Sequence, residues 1–122
     1  LLPPNEWGPF PTNLILQPGP YSHQQLLKQL HQGVWITRFH YSNVVDHRKG
    51  IITGMTRDGT FWVENGEIAY PVKNLRFTQD LQKAFSSVIA LANNSLLCGE
   101  FLPVSTPSIL LSSFSFSSAT LF

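Results

Sequence analysis

Apolar residues along this 122-residue chain fall into short runs, and the period of each run names the element it predicts. Up to Pro20 the runs are broken by Pro3, Pro4, Pro9, Pro11, Pro18 and Pro20, with Gly8 and Gly19 among them. That predicts extended backbone, interrupted by a short strand over residues 12–17 where Leu14, Ile15 and Leu16 are apolar. A helix follows. Ser22 is placed to cap it, Gln25 three residues on completes a capping box, and Tyr21 is placed to staple onto Leu26. Leu26, Leu27 and Leu30 then share one face, and Gly33 is placed to end the helix after about three turns.

Residues 34–41 read as a strand because β-branched and aromatic side chains dominate, with Trp35, Thr37 and Phe39 on one side and Ile36, Arg38 and His40 on the other. Residues 43–50 read as a polar connection and 51–56 as a further strand, with turn chemistry at Arg57-Asp58-Gly59. Asn65-Gly66 between the β-rich runs 60–64 and 67–72 is the strongest hairpin signal in the chain. Pro71 predicts that the second arm becomes a sheet edge or leaves the sheet near its end. From Thr78 or Gln79 to about Leu91 the spacing of Leu81, Phe85, Val88 and Ile89 predicts a second helix, ended by Asn93-Asn94. Between residues 101 and 122 there is no charged residue. Alternation over 109–117, with a break at Ser112-Ser113, predicts a covered strand there. The fold class expected is α+β: a twisted, mostly antiparallel sheet with two helices, in a single domain over residues 1–122.

Composition narrows the function. Charged residues make up 12% of the chain, about half of the ~25% usual for a soluble domain, and the net charge is +1 with no run of either sign. Nucleic acid and anionic membrane surfaces are thereby excluded as partners, because both demand clustered Lys and Arg. Lys73 and Arg76 are too few to turn the three Trp, three Tyr and nine Phe into a base-stacking platform. Instead, so many aromatics in so small a domain imply that some face a protein partner. No stretch approaches the ~20 apolar residues of a membrane-spanning helix. One cysteine makes no internal disulfide, so a reducing cytoplasm is the expected compartment. Leu1-Leu2-Pro3-Pro4 has neither an initiator Met nor a signal peptide's basic start, and the chain is expected to be cut from a longer one.

Candidate chemistry is sparse. His40 and His47 stand seven apart and His23 and His31 eight apart, which fits no metal-ligand spacing. Cys98 either donates one thiolate to a metal site completed elsewhere or packs as a small apolar side chain. Residues 54–60 have the glycine spacing of a phosphate loop but lack the Lys before Thr60, and a hairpin follows rather than a helix. Glu64 and Glu67 flank the Asn65-Gly66 turn as solvated residues, and Asn93-Asn94-Ser95 is a glycosylation acceptor only in a secreted chain. Neither a catalytic residue nor a cofactor-binding residue is assigned.

The run Gly59-Thr60-Phe61-Trp62-Val63-Glu64-Asn65-Gly66-Glu67-Ile68-Ala69-Tyr70-Pro71-Val72 resembles the signature hairpin of the TldD/PmbA family, metallopeptidases once called modulators of DNA gyrase. Gly33-Val34-Trp35-Ile36-Thr37, the Leu26-Leu27 helix and Cys98-Gly99 with a proline-bearing final strand fit the same family in order. The hairpin, and Phe101-Leu102-Pro103 after Cys98-Gly99, are closer to the PmbA branch. The resemblance implies a C-terminal fragment of a protein several times longer, part of a larger β-rich C-terminal domain.

It also implies a zinc motif, His-Glu-x-x-x-His, upstream of this region. No such motif occurs in residues 1–122, so the chain by itself is expected to be inactive and to hold no cofactor, with zinc in the full-length protein or its partner. In the TldD branch a cysteine matching Cys98 completes the zinc site; the PmbA branch has the Cys-Gly without the zinc-binding helix. By the same resemblance the partners are a TldD/PmbA-like subunit, in a homo- or hetero-oligomer, and a peptide substrate. The alternative is a peptide-binding or noncatalytic scaffold module that acts by strand addition at an exposed edge near Pro71 or in the tail.

Overall fold

The computed structural model describes residues 4, 6, 8–9, 11–99 and 102–120. Among these, two helices and ten strands form three sheets, paired antiparallel except for one parallel pair, so the α+β expectation holds. The centre is a pair of 14-residue strands, β2 (Gly33–Asp46) and β3 (Ile51–Glu64). Asn65 (φ 53°) and Gly66 (φ 75°) then turn the chain into β4 (Glu67–Val72), as the Asn-Gly pair requires. After two residues β5 (Leu75–Asp80) returns to the same side of β3, beside Ile51 to Met55, while β4 holds the Thr60 to Glu64 end. β10 (Phe116–Ala119) closes the far side against β5. β4 pairs only β3, which places Pro71 at an edge as expected.

Both central strands run further than local sequence suggests. The polar connection predicted over 43–50 shrinks to 47–50, where Asp46 Oδ1 accepts the Arg48 and Lys49 amides at 3.0 Å. Arg57-Asp58-Gly59 does not turn the chain. It forms a bulge inside β3: the partners step from Ile36↔Thr60 to Arg38↔Arg57, and the extra residue is accommodated with Asp58 and Gly59 both at positive φ. Turn-forming residues and bulge-forming residues are the same because both need left-handed backbone, and pairing with β2 decides which one forms.

The first helix, α1 (His23–Leu30), has the predicted capping box, Gln25 N–H donating to Ser22 Oγ at 3.2 Å and Ser22 N–H to Gln25 Oε1 at 2.9 Å. It is eight residues long, nearer two turns than three, and it ends at His31 (φ 61°), not Gly33. Gly33 instead opens β2, where a Cβ would lie 2.7 Å from Leu30 Cδ1. The second helix is a larger departure. Only α2 (Leu81–Ser86) is helical; residues before it are β5, and β6 (Val88–Leu91) follows. Asp80 caps α2 by accepting the Lys83 amide, and the Ser86 and Ser87 hydroxyls bond back to the Gln82 and Ala84 carbonyls where it stops. The tail likewise divides. β9 (Ile109–Leu111) pairs β6, and the break at Ser112-Ser113 passes the chain to β10 in the other sheet.

The third sheet is small: β1 (Leu14–Ile15), shorter than the predicted strand, runs parallel to β8 (Val104–Thr106), which pairs β7 (Leu96–Cys98). Burial is distributed over separate centres. Leu26, Ala90, Ala92 and Leu110 form one, with Leu30 packed against it. Phe77, buried under Phe39 and Phe114 at ring-centroid distances of 4.8 and 5.3 Å, anchors another. Between β3 and the β4–β5 connection lies a polar knot: the buried hydroxyls of Thr56 and Thr60 are 2.6 Å apart, and Thr56 Oγ accepts the Leu75 amide at 2.9 Å.

Candidate functional site

Cys98 ends β7, exposed and free, its thiol turned toward the Leu96 carbonyl at 3.8 Å. Its register partner across the strand is Val104, which pairs Leu14, so Cys98, Val104 and Leu14 form one apolar row. Zinc needs three or four nitrogen, sulfur or oxygen ligands at one point. Among the described residues no three His, Cys, Asp or Glu side chains gather in this way. A single thiolate does not fit zinc by itself.

The other residues singled out in the sequence are dispersed. His40 lies on β2 with its ring 4.0 Å from Tyr41, and its Nδ1 is 3.3 Å from Arg38 Nη2. Arg38 in turn pairs with Asp58 at 3.1 Å, an exposed bridge across the bulge. Glu64 and Glu67 face each other as the last pair before the turn, both exposed. Residues 54–60 are strand, and their glycines have packing reasons: a Cβ on Gly54 would lie 2.8 Å from Phe77 Cζ, and one on Gly59 2.8 Å from Phe61 Cε2. Asn94 Oδ1 accepts the Ser108 amide at 2.9 Å, a structural bond that ties the tail to the segment after β6.

Sequence reasoning missed two arrangements. His23 Nε2 and Ser108 Oγ meet at 2.9 Å although 85 positions separate them, with the His23 ring edge-on to Trp35. No local pattern signals such a pair. The second is an open groove of 310 Å³ where β1 and β8 meet α2, lined by Leu14, Leu16, Phe85, Val104 and Ile109. Ile15 (66% exposed), which also lines the groove, and Leu97 (74% exposed) flank Ser105 in one row across the small sheet. Phe85 and Ile89, which the longer predicted helix would have turned inward, are 63% and 55% exposed. No helix among the described residues is long and apolar enough to cross a membrane.

Comparison with known proteins gives a consistent result. The family model for the PmbA/TldA metallopeptidase C-terminal domain matches residues 4–118. The chain is similar to a metalloprotease PmbA homolog of Buchnera aphidicola, 28% identical over 88 residues, covering 66% of this chain and 19% of that protein. It is similar to metalloprotease PmbA of Escherichia coli at 31% identity over 88 residues, covering 66% and 18% respectively. Among solved structures it resembles a Thermotoga maritima protein named for modulation of a DNA gyrase (TM-score 0.71, 24% identity, 86% of this chain and 24% of that one). It also resembles TldE of Thermococcus kodakarensis (TM-score 0.73, 10% identity, 85% and 23%), a likeness of fold. The chain thus spans about a fifth of the length of these curated relatives.

Proposed function

Because the chain belongs to the PmbA/TldA metallopeptidase family and matches its C-terminal domain, we propose that it is the structural and subunit-assembly part of a TldD/PmbA-type protease that degrades or processes peptides, and that it is inactive alone. The observation that carries the assembly reading is surface. A compact monomer of 13.7 kDa exposes about 6,600 Å² by the usual mass scaling, whereas this chain exposes 9071 Å². The chain is thus more open than a compact monomer of its mass. Its surface carries large apolar side chains, with Leu14, Ile15, Phe85, Leu96 and Leu97 all exposed. Inactivity rests on the sequence: residues 1–122 contain no His-Glu-x-x-x-His.

The curated relatives carry the PmbA name, which favours that branch. In this reading the subunit works in the cytoplasm in a homo- or hetero-oligomer with a TldD/PmbA-like subunit, and any zinc takes its remaining ligands from outside these residues, with Cys98 the one thiolate this chain has to offer. The decisive experiment compares zinc content, by elemental analysis, in the full-length protein and its Cys98→Ala variant. Loss of zinc in the variant assigns Cys98 as a ligand; zinc retained, or absent from the unmutated protein, removes that role. Peptidase assays on the 122-residue chain and on the full-length oligomer test the rest, with turnover by the isolated chain sinking the reading.

Strand addition is the second reading, and a specific observation favours it. β4, which carries Pro71, pairs only β3, and β10 of the tail pairs only β5, leaving each with one unpaired edge in its sheet. A stand-alone peptide-binding module should be monomeric and should bind an extended peptide saturably. A sedimentation coefficient that rises with concentration counts against it.

A further inference from the structure

We draw no further inference here: the strongest candidate, the apolar groove between β1, β8 and α2 lined by Leu14, Leu16, Phe85 and Val104, is an unpartnered face, and nothing in the structure shows what covers it.

Discussion

Thr56 is wholly buried, yet a hydroxyl is what its site requires. Its oxygen accepts the Leu75 amide and lies 2.6 Å from the Thr60 hydroxyl, so one side chain satisfies the backbone where β4 gives way to β5. Thr56→Val keeps the shape and removes the acceptor. Leaving a buried donor unpaired costs about 1–3 kcal/mol, and the variant should lose about that much stability in urea unfolding. Combining it with Thr60→Val should cost less than the two single changes together, since both hydroxyls belong to one network. Gly19 presents the opposite problem, one of space. A Cβ there would sit 2.4 Å from the Leu91 carbonyl oxygen, a backbone atom that cannot turn aside, and the Gly19 amide already bonds to the Ala92 carbonyl. Gly19→Ala therefore forces the Pro18-Gly19-Pro20 segment off β6, at about 1–3 kcal/mol by the measure of overpacked sites. A thermal midpoint unchanged from the unmutated chain would contradict this.

At the level of elements, short helices here depend on their ends. α1 has eight residues and one fully buried side chain, Leu26, so intrinsic propensity contributes little and the Ser22 cap with Leu26 burial contributes most. Ser22→Ala should destabilise the domain by about 1 kcal/mol, with Ser22→Gly costing only a few tenths, a contrast that denaturant titration can read. α1 is also tied to the hairpin, because the Gly66 amide donates to the His31 carbonyl at 2.9 Å. That bond explains how a residue other than glycine stands at positive φ where α1 stops: His31 exposes its carbonyl there to a partner from another element. The two central strands likewise depend on local adjustments. β2 and β3 stay paired over 14 residues each only because bulges absorb the mismatches, one of them at Asp58-Gly59 in β3.

For the whole molecule the governing fact is that sheets of five, three and two strands bury few side chains in common. Eight apolar side chains are buried among the described residues, four of them in the cluster around Leu26. The assembly reading then predicts that the isolated chain associates. Its sedimentation coefficient should rise with concentration, and Ile15→Asp with Leu97→Asp, on one row of the small sheet, should abolish the rise while leaving far-ultraviolet circular dichroism unchanged. Concentration-independent sedimentation of the unmutated chain as a monomer would rule out self-association through this face, leaving assembly with a different subunit or strand addition.

What was legible in the sequence is what short-range physics controls. The capping box, the Asn65-Gly66 hairpin, the edge position of Pro71 and the break at Ser112-Ser113 each depend on backbone dihedrals or hydrogen bonds spanning a few residues, and each stands as expected. The α+β class and the family followed from these elements and from the 59–72 run. Tertiary structure decided the rest. Whether Arg57-Asp58-Gly59 turns or bulges depends on β2 lying alongside; whether residues 88–91 continue a helix or become a strand depends on β9 arriving from 20 positions away to pair them. Apolar residues at helical spacing were ambiguous because Val88 and Ile89 suit a strand equally well, and pairing with β9 gives backbone groups of β6 an alternative to helical hydrogen bonds. The candidate site divides in the same way. Cys98 stood out as the lone thiol, but its exposure, its row with Val104 and Leu14, and the groove beside β1 came from strands 6 to 90 residues apart in sequence, brought together by pairing that no local pattern encodes.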